Sequence, residues 1–362
     1  MRIACLTAVV LACCPMALAQ KAGGSGGAGG AGVMSPAQAT DGAIDLRPRL
    51  ETGKSFRFTM QQTSTTRSGA ASKGGGGGRQ PRAGTPDAGA STSAITMGLV
   101  MRVVKGGGDG DSTVEFTIDE LRISTKGGDI EIDYDSTKPA KDDDIVAMAM
   151  KSLVGSSFTA IIDRTGNIKS VGGGEGLAAI GQLGGGGLAV GLGGAGGGAG
   201  GGGFLGPIVN TGAGSGFARV GQSWENKDAI GGGMLGAFQM VTRHTLTSMR
   251  GKDAIIDFKG HLDAASEATG GAGGGGGGGG AGGAQVRDTS YQGRYEWDTG
   301  EGMLKKMDST MRAMLETQGE EGRETTTSEV KTTITRGSAG KPPARGTTPG
   351  GASPGGTPRQ PQ

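Results

Sequence analysis

The chain has 362 residues, a formal net charge of +2, 4% aromatic residues, three cysteines and 80 glycines. A balance this close to neutral leaves no electrostatic footprint for a polyanion, which argues against a nucleic-acid partner. After the N-terminus no run is apolar for the ~20 residues a spanning helix needs, so the mature chain is expected to have no transmembrane segment.

Arg2, the apolar run Ile3 to Leu11 and Ala17-Leu18-Ala19 before Gln20 have the order of a secretory signal peptide over 1–19. The expectation is an exported protein, periplasmic or extracellular. Lipid anchoring at Cys13 or Cys14 is the alternative, since Val10-Leu11-Ala12-Cys13 loosely fits a lipidation site, but Ala17-Leu18-Ala19 is better formed. Cys5, Cys13 and Cys14 all fall inside this segment, so the cleaved product has no disulfide, thiolate nucleophile or sulfur-ligated metal.

The glycines far exceed the usual share of ~7% and are clustered at 23–32, 74–78, 172–203 and 270–283, with a looser tail after Gly337. Such tracts lose much backbone entropy on ordering and bring no side chain to bury, so they are expected to be disordered. The resulting division is a Gly-rich segment over 20–40, a first β half over 41–171, a Gly-rich linker over 172–216, a second β half over 217–336 and a Pro/Gly-rich tail over 337–362. Lys341, Arg345 and Arg359 in that tail read as a solvated end.

Between the tracts the apolar period is two, the mark of half-buried strands. Phe56, Phe58 and Met60 alternate with Arg57, Thr59 and Gln61. Ile95, Met97, Leu99, Met101 and Val103 share a face that resumes after a Gly-Asp turn with Val114, Phe116 and Ile118. The phase then slips to Leu121 and Ile123, which predicts a bulge. Ile130, Ile132 and Tyr134 oppose the acidic row Asp129, Glu131, Asp133 and Asp135. Asp142 to Val154 reads as the one helix, acidic at its N-terminus and stopped by Gly155. A hairpin follows around Asp163-Arg164-Thr165-Gly166-Asn167. Later strands are expected over 238–248, 254–262, 286–297, 303–312 and 324–335.

The halves resemble each other. Gly53-Lys54-Ser55-Phe56 recurs as Gly221-Gln222-Ser223-Trp224, and Thr165-Gly166 as Thr299-Gly300. By strand parity and the repeat, Trp224 and Trp297 are expected at equivalent positions with their rings in the core. The fold class is therefore mainly β (α+β): a large curved antiparallel sheet or half-barrel of about eleven to twelve strands with one helix, in two quasi-repeated halves joined by glycine-rich disordered loops.

Leu50 to Phe56, Val220 to Trp224, Asp163 to Gly166 and Asp298 to Gly300, in this order, resemble a family of exported bacterial proteins known only as a domain of unknown function. The resemblance spans 46–335 and implies location and fold class, with no activity to carry over. This chain departs from it in placing glycine where such proteins have a helix and polar linker before the central tryptophan. The architecture is also distantly similar to the half-barrels of periplasmic lipoprotein carriers.

No catalytic, cofactor-binding or metal-ligating residues are assigned. Gly53-Lys54-Ser55 fails as a phosphate loop because Pro48 stands where the first glycine is needed and a strand follows. Gly23 to Gly27 spells a nucleophile-elbow pattern only because glycine is abundant. His244 shares its face with Phe238, Met240 and Leu246, whereas His261 sits with Asp257, Lys259 and Asp263, so the two read as a core-edge and a surface residue. Along the acidic row, same-face neighbours stand about 6.6 Å apart, too far for all four to close on one calcium ion. Those charges read instead as protection of an edge strand. Gly107 to Asp111 echoes a calcium nonapeptide but occurs once.

These observations point to a non-enzymatic envelope protein that binds an apolar ligand or envelope partner on the concave side of its sheet. Fifteen methionines in a chain poor in aromatics give it adaptable apolar surface. The alternative is a structural or matrix-associated protein acting through its glycine tracts.

Overall fold

The computed structural model describes residues 42–70, 90–108, 110–127, 130–139, 147, 150–173, 205–233, 236–264, 285–319 and 322–337. The expected signal peptide, the glycine runs at 23–32, 74–78 and 270–283, nearly all of 172–203 and the tail after Gly337 lie outside them.

Period-two patterning delivers what it predicts, a twelve-stranded antiparallel sheet that does not close into a barrel. Its strands are β2 (Ser55–Ala70), β3 (Ala90–Lys105), β4 (Ser112–Gly127), β5 (Ile130–Asp135), β6 (Ser157–Ile162) and β7 (Ile168–Gly172), then β9 (Ser223–Gly233), β10 (Gly236–Arg250), β11 (Asp253–Ala264), β12 (Gln285–Asp298), β13 (Met303–Gly319) and β14 (Gly322–Arg336). The spatial order is β7-β6-β4-β3-β2-β14-β13-β12-β11-β10-β9, with β5 paired to β4. Two further strands, β1 (Ile44–Asp45) and β8 (Phe217–Ala218), form a separate ribbon.

One face of the sheet, the inner face, carries the core. Ile95, Met97, Leu99, Met101 and Val103 are buried as their alternation requires, against Phe58, Met60, Val114, Phe116 and Ile118. The phase slip is a bulge: Gly98 pairs with Glu120 and Leu99 with Ile118, leaving Asp119 unpaired in the ladder. The Asp119 carboxylate lies over Gly98, where a Cβ would collide with it.

The helix expected over 142–154 lies partly outside the described residues; Ala147, Met150 and Lys151 are helical, and Ala147, Met150 and Leu153 are buried. A four-residue helix at Gly206–Val209 packs against β13, and Leu205, Ile208, Val209 and Ala213 join the core. This helix and these buried residues fall at the end of the expected Gly-rich linker over 172–216.

Duplication is visible in hydrogen bonds. Gly53 and Gly221 both have left-handed φ, 85° and 87°. The Gly53 amide donates to Val103 O at 2.9 Å and the Val103 amide to Lys54 O at 2.9 Å, while Gly221 donates to Leu246 O at 2.7 Å and Leu246 to Gln222 O at 3.0 Å. Both meanders then bulge at the same places, after Val103 and after Leu246, and again at Ile161/Ile162 and Glu296/Trp297. Thus β2-β3-β4-β6-β7 and β9-β10-β11-β12-β13 are equivalent, and β14 sits between them.

This equivalence corrects the expected pairing of tryptophans. Trp224 corresponds to Phe56, and Trp297, one residue before its turn aspartate, corresponds to Ile162. Trp297 is fully enclosed, whereas Trp224 is half-buried and donates its indole N–H to Thr211 O at 3.1 Å.

Candidate binding surface on the inner face

Most chemistry-bearing residues singled out in the sequence have structural partners. Gly53 opens β2 in a left-handed conformation, Lys54 Nζ lies 3.1 Å from Glu51, and Ser55 Oγ donates to Met101 O at 3.2 Å. Gly23 to Gly27, Asp109 and Asp129 lie outside the described residues. Asp111 takes Lys169 at 2.8 Å. Glu131 and Asp133 point to solvent, and Asp135 accepts from the Thr137 hydroxyl at 2.7 Å and amide at 3.0 Å, which holds its carboxyl below the usual value. His261 is exposed, 3.1 Å from Asp263. Among the described residues no group of three or more His, Cys, Asp or Glu is arranged to hold a metal ion.

An open cleft of about 560 Å³ lies where 45–52 meets the β3–β4 and β6–β7 turns. Among its charged lining residues Arg47 pairs with Asp45, and Glu51 pairs with Lys54. Arg47 forks onto Asp45 at 2.9 and 3.0 Å and stacks 4.5 Å from the Phe217 ring. Burial alone would push the Asp163 carboxyl upward, but donors from Thr165 at 2.7 and 2.8 Å and the Asn167 amide at 2.9 Å outweigh it and hold it low. The cleft is a clasp for the strand ends.

The second half offers a different surface. One cross-strand row on the inner face runs Gln62, Thr332, Ser309, Gly293, Phe258, His244, Trp224. The next row away from the core runs Ser64, Val330, Met311, Tyr291, Gly260, Thr242, Asn226. The polar and small residues of the first row interrupt the apolar face. Beyond them Met240, Met311 and Val330, with partly buried Leu262 and Tyr291, form a cluster separate from the main core.

An aromatic stack underlies this cluster. His244 lies parallel to Trp224 and Tyr295, centroids 5.8 Å from each and planes 7° apart. Phe258 sits 4.7 Å from Tyr295 and 4.9 Å from Tyr291, in the space left because Gly293 has no side chain. Burial lowers the His244 pKa to about 4, and His244 Nδ1 and Gln62 Oε1 are buried with no hydrogen-bond partner. Burial likewise raises the Tyr291 phenol to about 12, although Ser309 hydrogen-bonds it.

The expected parity of His244 with Met240 and Leu246 holds. Sequence reasoning missed Asp228, which shares the inner face with Trp224 and Asn226 and pairs in register with Met240. Carrying the parity of Trp224 two steps further would have found it. Asp228 remains solvent-accessible yet lies deep enough in the sheet's inner side for desolvation to raise its carboxyl. Its charge also acts on Tyr291 and Tyr295.

Residues 109–180 match a family of unknown function (DUF6263). The matched segment is about a fifth of the chain, from the β3–β4 turn past β7, and does not reach the aromatic stack. No curated protein matches the chain.

Proposed function

We propose that this is an exported, non-catalytic binding protein of the cell envelope that holds an apolar ligand against the inner face of its second half. The observation that carries the reading is the satellite cluster of Met240, Met311 and Val330, set apart from the core by a polar row and bordered by partly buried Tyr291 and Leu262. The three side chains of the cluster are 6–8% exposed, so the face it offers a ligand is that of Leu262 and Tyr291 at its border. Methionine suits a surface that must adapt to a varied apolar partner. The ionisable groups beside it support binding over catalysis, because a histidine near 4 and a phenol near 12 are not poised to exchange protons at neutral pH.

Export rests on the sequence of 1–19 and is checked by intact mass of the secreted protein, which should begin at Gln20 without lipid. Binding is checked by titrating an environment-sensitive apolar dye against native protein. Saturable binding, displaced by a competing lipid and weakened by Met311→Asp, supports the reading. A dye signal absent until the unfolding transition sinks it.

A further inference from the structure

The cleft at 45–52 holds two cations that its own acids do not engage. Asp45 takes the Arg47 fork at 2.9 and 3.0 Å, Glu51 takes Lys54 at 3.1 Å, and Asp163 takes four donors of its own turn, from Thr165 and Asn167, at 2.7 to 3.1 Å. The side chains of Arg49 and Arg164 line the same cleft, are exposed, and make no ion pair or hydrogen bond with the described residues. With Lys54 counted, four cations face three carboxylates, so the described residues give the cleft a net positive charge.

Both arginines stand on fixed backbone. The Arg49 amide donates to Gly302 O at 3.3 Å, and Gly302, at φ 60°, brings the β12–β13 turn so close that a Cβ there would collide with the Arg49 stem. Arg164 follows Asp163 in a turn closed by the Gly166 amide donating to Asp163 O at 3.0 Å and the Asp163 amide to Asn167 O at 2.9 Å. Two hydroxyls of the lining have uncommitted protons. Thr52 Oγ1 accepts from the Gly106 amide at 2.7 Å and Ser112 Oγ from the Gly107 amide at 2.9 Å, and neither hydroxyl donates to a described residue. Ser112 is 6% exposed, and the close approach of the β3–β4 turn needs glycine at 106, where a Cβ would strike Leu50 O.

Forked guanidinium donors and hydroxyl protons in a net positive cleft are complementary to an oxyanion. The volume of about 560 Å³ is that of a small-molecule site and exceeds what a bare oxyanion fills. Pro48 and Leu50 are its apolar side chains, too few to hold an acyl chain. We propose that the cleft binds a small hydroxylated oxyanion, a sugar acid or a sugar phosphate, its anionic group drawn to Arg49 and Arg164 and its hydroxyl oxygens accepting from Thr52 and Ser112. None of the aromatic-stack residues lines this cleft, so the proposal does not depend on the inner face being a binding surface.

Isothermal titration of the purified protein at low salt and neutral pH, with glucuronate, glucose 6-phosphate and uncharged glucose as probes, tests the assignment. At least one charged sugar should bind about tenfold more tightly than glucose, and whichever of the two binds better identifies the anionic group. The double variant Arg49→Gln/Arg164→Gln should abolish that advantage at an unchanged melting temperature, whereas Lys259→Gln, exposed on β11, should leave it intact. The proposal is overturned if neither charged sugar outbinds glucose, if the advantage survives the double variant, or if Lys259→Gln reduces it equally.

Discussion

Replacing the two tryptophans separately puts the register of the duplication to a quantitative test. Trp297 is fully enclosed in the main core and pairs across the β11–β12–β13 ladder with Ala254 and Leu304. Removing a buried tryptophan typically costs ~3–5 kcal/mol through lost transfer energy and the cavity left behind. One offset exists, because Trp297 Nε1 is buried without a hydrogen-bond acceptor and its removal relieves about 1–3 kcal/mol of desolvation. Trp297→Ala is therefore expected to lose about 2 kcal/mol net, the difference of the two midpoints, and Trp297→Phe, which keeps most of the ring and drops the orphan N–H, far less. At roughly 2–4 °C per kcal/mol for a fold of this size, the alanine variant should melt about 4–8 °C lower by circular dichroism. Trp224 is half-buried, so its alanine variant loses partial burial, its stack on His244 and one hydrogen bond to Thr211, about 1–2 kcal/mol. If Trp224→Ala proved the more damaging of the two, the assignment of Trp297 to the Ile162 position and of Trp224 to the Phe56 position would be wrong.

His244 carries a pH signature whose sign follows from its lowered pKa: the unfolded chain takes up the proton near 6.5 and the folded protein only near 4, so stability falls as pH drops through that window and levels off below it. At pH 5 the loss is about 2 kcal/mol relative to pH 7.5, and His244→Phe, which preserves the stack, should remove it; a wild-type melting temperature flat from pH 7.5 to 5 would contradict the burial. Gly98→Ala drives a methyl group into Asp119 and should cost about 1–3 kcal/mol in urea unfolding, with partial recovery in the Gly98→Ala/Asp119→Ala double variant. No recovery would mean the bulge is set elsewhere. Deleting residues 270–283 should change stability by less than about 1 kcal/mol, since closure entropy varies by only ~0.6 kcal/mol per doubling of loop length; a larger fall in melting temperature would show that the tract packs.

The strands of the first half were legible because one face of each has an unbroken apolar stretch, as from Ile95 to Val103. A parity break inside such a run has one inexpensive explanation, and the Asp119 bulge followed from it. The second-half wall was harder to read. Its inner positions mix Thr242, Asn226, Asp228, Gly260 and Gly293 with aromatic rings, so period two is present in space but faint in hydropathy. The repeated Gly-x-Ser-aromatic motif was readable because a left-handed glycine admits few substitutes. Pairing Trp297 with Trp224 followed residue type, whereas the equivalence lies in which residue precedes the turn. The helix at Gly206–Val209 is too short for a helical period to show, and the glycine tract beside it masked its apolar content.

The place of β14 has a consequence for how the protein is made. The duplicated meanders are not neighbours: the last strand of the chain is wedged between β2 and β13, so the outer edge of β2, sixteen residues long, has no mate until 322–336 have been synthesised. A chain made N-terminus first completes its first meander with that edge bare, and Ser64, Thr65 and Thr66 wait for Val330, Glu329 and Ser328 from the far end of the sequence. Cooperative folding is thereby deferred until synthesis is nearly finished, and a product truncated before β14 would expose two long strand edges at the middle of the sheet, the state most prone to pair with another copy of itself.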